Sequence, residues 1–348
     1  LGGGIADRIG PRLVSCAGTI LFCLGWFLSS LLGCESIPWR FYLSYCGMSG
    51  FGAGFVYSCA LSCMQRWLPN RKGLASGLSL SAFGFSVVFF TPVAEFLLSR
   101  FGVAATFRIF ALIFFIVMMP ASLFIKYPAE VSSGSGGQDQ ENQRHASLME
   151  AVFSLRFAEI AIATFTVTGA WNIVFPLIKI MAESDFRNVP PVMATATVML
   201  TGICSSAGRL VAPAVSDRLG RPISIIILAC LTICGCVTLI YAKGILFCVA
   251  VGLIAFAFGG PSGIFPAMVM EDFGSTNFGS IYGVEMFSLG LSSVFFSRVT
   301  HFLSGDGDYT KALLLGAGVC AITIIDMAHY WKKQGEGGGK SQCVAEAS

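Results

Sequence analysis

Two ionisable residues lie deep within apolar segments of the sequence, where a charge is costly. Arg209 precedes Asp217 by eight positions, which at 1.5 Å per residue places it about 12 Å from the charged turn that ends its segment. An arginine in the middle of an apolar helix costs roughly 2.5–3.5 kcal/mol on insertion scales, so it should face a cavity or a partner. Because its planar guanidinium matches a carboxylate, we predict that Arg209 anchors an anion. A structural ion pair is the alternative.

Glu285 lies six residues after Gly279 in a second apolar segment. Two roles are open for this carboxyl group: it binds and releases a proton, or it pairs with Arg209 and allows that cation to be buried. Three further side chains could donate hydrogen bonds to a ligand, although helix packing explains them equally well. These are Tyr57, Asn172 and Tyr282.

The elements that carry these residues are apolar runs. Hydrophobic residues make up 55% of the 348 residues and charged residues 12%, against roughly 25% charged residues in ordinary globular domains. Successive runs of about 20 apolar residues predict an all-α, multi-pass membrane protein and disfavour both a soluble domain and a β-barrel. The ten predicted spans are 13–33, 40–64, 73–97, 104–126, 154–181, 192–213, 222–242, 245–270, 279–302 and 311–331.

A charged turn occurs twice between these runs, as GGIADRIGPR at residues 3–12 and as PAVSDRLGRP at residues 213–222. Glycine allows a tight reversal, arginine remains in the membrane interface, and aspartate can bond the free N–H groups of a helix start. Two copies indicate two related halves. Lys and Arg are more frequent on the side of these turns, which predicts that both turns and both ends of the chain are cytoplasmic.

Charged residues near the predicted helix ends are interpreted as reaching towards the interface. They are Glu95, Glu159, Lys179 and Asp326.

Several classes of function are disfavoured. A net charge of +3 without a basic stripe argues against nucleic-acid binding. The sequence has no phosphate-binding loop, and its three His and 13 Cys do not form a ligand pattern, so we predict neither a cofactor nor a metal site. Without clustered histidines or paired carboxylates, an enzyme is also disfavoured. We expect a monomer whose partners are the lipid bilayer and a small solute.

The paired turns resemble the loops that follow the second and eighth helices of the major facilitator superfamily. In that family twelve helices form two six-helix bundles around a central cavity, and one half rocks against the other. The resemblance implies that the ten spans are the third to twelfth helices. Residues 1–127 would then form an incomplete first bundle and 151–331 the second. The Gly/Ser-rich stretch 128–150 would be a flexible cytoplasmic linker, and 332–348 a disordered cytoplasmic tail.

Four stretches are similar to the oxalate/formate antiporters and their monocarboxylate transporter relatives. They are FGAGFVY (51–57), QRWLPNRKGLASG (65–77), GGPSGIFPA (259–267) and NFGSIYG (277–283). The resemblance implies a small organic anion as substrate and gives Arg209 the family's anion-binding role. The antiporters carry a lysine about seven residues after the Tyr-Gly pair, whereas residues 287–289 here are Phe-Ser-Leu. A monoanion moved with a proton therefore fits better than a divalent anion.

The sequence thus predicts secondary active transport of a monocarboxylate or dicarboxylate, through exchange or proton coupling. A transporter of a sugar, drug or other metabolite and a non-transporting receptor are the alternatives. The expected cytoplasmic gate consists of Asp7, Arg8, Arg12, Asp217, Arg218 and Arg221.

Overall fold

The computed structural model describes residues 2–32, 38–68, 71–127, 148–183, 191–274, 278–303 and 309–345. This part of the chain is helical and contains no strand. A π-helical segment, Tyr42–Ser49, joins α3 to α4. The helices are α1 (Gly2–Ile9), α2 (Pro11–Leu31), α3 (Pro38–Phe41), α4 (Gly50–Trp67), α5 (Lys72–Phe124), α6 (Leu148–Val152), α7 (Leu155–Glu183), α8 (Pro191–Leu219), α9 (Arg221–Tyr241), α10 (Ile245–Phe273), α11 (Phe278–Leu303) and α12 (Thr310–Ala345).

The two charged turns have the same backbone conformation. Gly10 separates α1 from α2 with φ 101° and ψ 149°, and Gly220 separates α8 from α9 with φ 93° and ψ 146°. These values lie in the region that glycine adopts without strain. The Gly10 amide donates to the Ala6 carbonyl at 2.9 Å, and the Gly220 amide donates to the Ser216 carbonyl at 3.0 Å. The sequence repeat is therefore also a structural repeat.

Seven helices of the described chain are long and apolar enough to cross a membrane. The longest is α5, whose 53 residues would span about 80 Å as one straight helix, far more than the roughly 30 Å of hydrocarbon. Gly102, with φ 73° and ψ 177°, divides it into two arms. The predicted spans 73–97 and 104–126 fall on these arms. The total of ten spans stays a prediction.

The linker prediction falls mostly on residues outside the described ranges, which leave out 128–147. At the other end, α12 continues as a helix to Ala345, although the sequence predicted disorder from Lys332. The glycines at 335 and 337–339 have low helix propensity, so the prediction gave them more weight than the helix that precedes them.

Packing divides the chain into two compact units. Unit 1 consists of Leu1–Asn70, Val87–Leu148 and Met270–Gly283, and unit 2 of Arg71–Ser86, Met149–Val269 and Val284–Ser348. Helices α5, α6, α10 and α11 thus contribute residues to both units. The division into bundles at the 128–150 linker remains a prediction.

Each unit has its own packed interior. In unit 1, Trp26 of α2 contacts three aromatic rings on the second arm of α5, those of Phe107, Phe110 and Phe114, at centroid distances of 4.9, 5.8 and 5.4 Å. Aromatic pairs of this kind add about 0.5–1.5 kcal/mol each. In unit 2, buried side chains of α7, α9, α10 and α12 form a continuous apolar cluster around Phe247.

Many large apolar side chains are nevertheless exposed. Examples are Phe89, Ile116, Val249 and Ile325. Exposed apolar faces on helices whose own backbones satisfy their hydrogen bonds are what a lipid environment requires.

Candidate functional site

Arg209 lies on α8 where that helix approaches two others at backbone distance. A Cβ atom on Gly77 of α5 would overlap the Arg209 carbonyl oxygen, and one on Gly259 of α10 would overlap the carbonyl oxygen of Ser205 and lie 3.1 Å from the Arg209 amide nitrogen. All four residues belong to unit 2. The glycines therefore allow α5 and α10 to pack closely against the backbone of α8 at Arg209.

The guanidinium of Arg209 has a defined backbone partner. Its Nη1 donates a hydrogen bond to the Leu80 carbonyl on α5, with a length of 3.2 Å. The residue is partly exposed and lies ten positions before the end of α8, about 15 Å along the helix. A cation is thus held at mid-helix depth, orientated by a carbonyl and accessible at its side chain.

Glu285 has a different environment. Its residue is fully buried on α11, and its Oε1 is hydrogen-bonded to the Thr164 hydroxyl of α7. Within the described part of the chain, its Oε2 has no hydrogen-bond partner. The carboxyl group forms no ion pair with Arg209 among the described contacts.

Asn172 lies further along the same pair of helices. Its Nδ2 donates to the Ser293 hydroxyl at 3.0 Å, and the Ser292 hydroxyl donates to the Phe165 carbonyl at 2.6 Å. The Thr164–Glu285 and Asn172–Ser293 pairs are both separated by 121 positions. The equal separations indicate that α7 and α11 run parallel, with these two contacts about 12 Å apart along each helix.

The two candidate tyrosines lie together in unit 1. The Tyr57 and Tyr282 hydroxyls are 2.8 Å apart, and their rings are stacked with centroids 6.3 Å apart. Phe278 also stacks against Tyr282, with ring centroids 5.4 Å apart. Arg209, Asn172 and Glu285 belong instead to unit 2.

The second charged turn forms a connected polar network. Asp217 Oδ1 lies 2.6 Å from Arg221 Nη2 and accepts a 3.3 Å hydrogen bond from the Gly73 amide of α5. Arg221 Nη1 donates to the Ser216 hydroxyl at 2.6 Å. A side chain on Gly73 would meet Arg221, Pro213 and Asp217, so only glycine fits the start of α5 at this point.

Two other predicted gate residues have described side chains. Arg12 and Arg218 are exposed. The side chains of Asp7 and Arg8 lie outside the described part of the chain, as does that of Lys179.

Sequence reasoning placed Glu159 wrongly. It was expected to reach towards the interface, but its residue is only 6% exposed and its carboxylate accepts from His329 Nδ1 at 2.9 Å and from Lys333 Nζ at 3.3 Å. The polar partners Thr164 and Ser293 were also missed. The signal for Thr164 was available, because it precedes Asn172 by eight positions and the same spacing separates Glu285 from Ser293.

Comparison with known proteins identifies the family. A model of the Major Facilitator Superfamily matches residues 1–333. The chain therefore belongs to this family of multi-pass membrane transporters, which are not enzymes, and the predicted all-α membrane fold is confirmed.

Named relatives include transporters of small organic acids. The uncharacterized MFS-type transporter YhjX of Escherichia coli (strain K12) is 28% identical over 295 residues, which cover 84% of this chain and 72% of that protein. The oxalate:formate antiporter of Oxalobacter formigenes is 23% identical, over 91% of this chain and 74% of the antiporter. Monocarboxylate transporter 13 of Bos taurus is 26% identical, over 69% of this chain and 54% of that transporter.

A solved structure confirms the fold. The fucose:proton symporter FucP of E. coli superimposes with a TM-score of 0.70 at 15% identity, over 94% of this chain and 86% of that chain. At this level of identity the likeness concerns the fold alone.

Proposed function

We propose that this transporter carries a small organic anion, a monocarboxylate or a dicarboxylate, by alternating access. The observation that carries the proposal is Arg209, a cation at mid-helix depth whose guanidinium is orientated by the Leu80 carbonyl. An arginine in the middle of a membrane helix is retained where it meets an anion or another partner. The relatives named as an oxalate:formate antiporter and a monocarboxylate transporter support this substrate class.

Arg209 binds the substrate carboxylate in this proposal. The planar guanidinium can form two parallel hydrogen bonds with a carboxylate, which fixes the orientation of the anion as well as attracting it. Asn172, in the same unit as Arg209, is proposed to donate a hydrogen bond to the rest of the substrate, and Tyr57 and Tyr282 stay predicted substrate-binding residues of unit 1. Transport proceeds either by exchange for a second anion or with a coupled proton.

The charged turns are proposed to act as the cytoplasmic gate. Asp217, near the end of α8, is bonded to the start of α5 and to Arg221. Opening of the cytoplasmic side of the carrier would require that these bonds break. Arg218 and the first-turn residues Asp7, Arg8 and Arg12 are proposed to act in the same way. Loss of such bonds shifts the equilibrium between the conformations of a carrier.

The organisation expected from the sequence completes the proposal. We propose two bundles, 1–127 and 151–331, joined by a cytoplasmic linker at 128–150, with both ends of the chain in the cytoplasm. The carrier works as a monomer.

Uptake by proteoliposomes containing the full-length protein tests the substrate class. Labelled formate, lactate and oxalate are the probes, with labelled fucose as the alternative solute. We expect carboxylate uptake that Arg209→Gln abolishes and Arg209→Lys partly retains, because lysine keeps the charge without the planar fork. Arg100→Gln is the matched control, since Arg100 lies over the Phe96 ring at an exposed helix position.

Two outcomes would contradict the proposal. Undiminished carboxylate uptake by Arg209→Gln would remove Arg209 from the site. Uptake of fucose without uptake of any carboxylate would replace the substrate class.

A further inference from the structure

A groove lies in unit 1 between α2 and the second arm of α5. Its volume is about 410 Å³, and four residues of each helix line it. On α2 they are Ile20, Cys23, Leu24 and Phe27. The lining residues of α5 repeat this spacing from Arg108 to Phe115. Because the spacing i, i+3, i+4, i+7 marks one face of a helix, the groove runs along both helices for about two turns, or roughly 10 Å.

The groove has a floor of small side chains and walls of large apolar ones. Cys23 and Ala111 are buried, whereas Leu24, Phe27 and Leu112 are exposed. The small side chains leave space between the helices, and seven of the eight lining residues carry no charge. A hydrocarbon chain can fill such a space without requiring any hydrogen bond.

Arg108 gives one end of the groove a positive charge. Its Nε donates a hydrogen bond to the Ser30 hydroxyl at 3.3 Å, and that hydroxyl donates to the Phe27 carbonyl at 2.6 Å. Among the described residues, no carboxylate pairs with Arg108. Ser30 therefore fixes one edge of the planar guanidinium, while the N–H groups of its two Nη atoms remain for an anion.

The elements around Arg108 place it near the membrane surface. Ser30, its partner, is the second-last residue of α2. The preceding residue, Phe107, packs against Tyr45 of the π-helical segment, with ring centroids 5.5 Å apart. The exposed Trp39 lies on the short helix α3 that leads into this segment. Since exposed aromatic residues gather at the level of the lipid headgroups, the guanidinium lies where phosphates lie, and the groove leads from it into the hydrocarbon.

The charges around the groove favour one class of headgroup. A guanidinium can form two parallel hydrogen bonds with a phosphate. A zwitterionic lipid would bring its own cation beside Arg108, and like charges repel at this distance. A phospholipid with a net negative headgroup avoids this repulsion.

We propose that this groove binds one phospholipid with a net negative headgroup, such as phosphatidylglycerol. Its phosphate is bound by Arg108, and one acyl chain lies in the groove between α2 and α5. By filling that space the lipid stabilises unit 1. The site consists of unit 1 residues, whereas Arg209 belongs to unit 2, so it does not depend on which solute the carrier moves.

Native mass spectrometry of the full-length protein, mixed with equal amounts of phosphatidylglycerol and phosphatidylcholine, tests the headgroup. We expect the wild type to retain phosphatidylglycerol in preference, and Arg108→Gln to retain about tenfold less of it, because hydrogen bonds to a charged group are lost. Arg100→Gln is the matched control, since Arg100 is exposed on the same helix and lies over the Phe96 ring. Equal retention of the two lipids by the wild type, or undiminished phosphatidylglycerol in Arg108→Gln, overturns the proposal.

A second pair of variants tests the acyl chain. The double variant Leu24→Ala with Leu112→Ala removes groove walls and should retain less phosphatidylglycerol. Leu28→Ala with Ile116→Ala is the control, because these exposed residues lie on the same helices and do not line the groove. Equal retention by the two double variants would remove the acyl chain from the groove. Glycerol phosphate should not displace the lipid, and displacement would make this a site for a soluble anion.

Thermal unfolding in detergent micelles tests the stabilising role and shows that each variant is folded. Added phosphatidylglycerol should raise the unfolding temperature of the wild type and of Arg100→Gln, and leave that of Arg108→Gln unchanged, since a ligand stabilises only the protein that binds it. An equal rise in all three proteins overturns the assignment of the lipid to Arg108.

Discussion

Two carboxyl groups of unit 2 are buried to nearly the same degree but have opposite surroundings. Glu159 receives hydrogen bonds from His329 and Lys333, so its negative charge is compensated. Glu285 meets one hydroxyl group and no cation in the described chain. Burial alone does not define the role of a membrane carboxyl, because the nature of its partners decides whether it holds a charge or a proton.

The largest expected effect on stability comes from the compensated carboxylate. Glu159→Gln leaves Lys333 without its anion and His329 without its carboxylate partner. We expect a loss of about 1–3 kcal/mol in the free energy of unfolding, less than the roughly 3–5 kcal/mol of a fully buried pair, because the His329 and Lys333 side chains are 56% and 40% exposed. Chemical denaturation in detergent micelles measures it.

Glu285→Gln is the matched variant in that experiment. We expect its stability to change by less than about 1 kcal/mol, since the amide oxygen can still accept the hydrogen bond from Thr164. A larger loss for Glu285→Gln than for Glu159→Gln would reverse the comparison.

A second prediction concerns the helix packing that positions Arg209. Gly77→Ala places a methyl group against the Arg209 carbonyl, and overpacking of this kind costs about 1–3 kcal/mol. Gly290→Ala is the control, because its new Cβ meets nothing within 4 Å. An alanine there should be neutral or slightly stabilising, since alanine favours the helix. Thermal unfolding should show a lower unfolding temperature for Gly77→Ala and an unchanged or slightly higher one for Gly290→Ala. An unchanged unfolding temperature in Gly77→Ala would show that α5 and α8 do not need this close approach.

The smallest effect is expected at the second level of the α7–α11 contact. Ser293→Ala removes the acceptor of the Asn172 amide, at a cost of about 0.5–1.5 kcal/mol. Chemical denaturation in detergent micelles measures this loss. An unchanged free energy of unfolding in Ser293→Ala would show that the Asn172–Ser293 hydrogen bond does not stabilise the α7–α11 contact.

Apolar run length was enough to predict an all-α membrane fold, because a segment must span the hydrocarbon whatever its partners. The repeated turn could likewise be predicted from the sequence, since Gly10 and Gly220 adopt a conformation that few other residues tolerate. The break in α5 was expected from the gap between two apolar runs, and it falls at Gly102.

Contacts between helices were much less predictable. The pairing of Thr164 with Glu285 depends on the register of two segments separated by 121 positions. Glu159 was misjudged because its partners lie about 170 positions away on α12. The residue pattern along one helix indicates how deep a side chain lies in the membrane. It does not indicate which residue of another helix that side chain contacts.

The central claim is that Arg209 holds the anion, and equilibrium binding tests it without the complications of transport. Binding of labelled oxalate, formate and lactate to purified full-length protein should be saturable in the wild type and in Arg100→Gln. The account predicts that Arg209→Gln loses this binding while retaining the wild-type unfolding temperature. Binding of equal affinity in Arg209→Gln would contradict it.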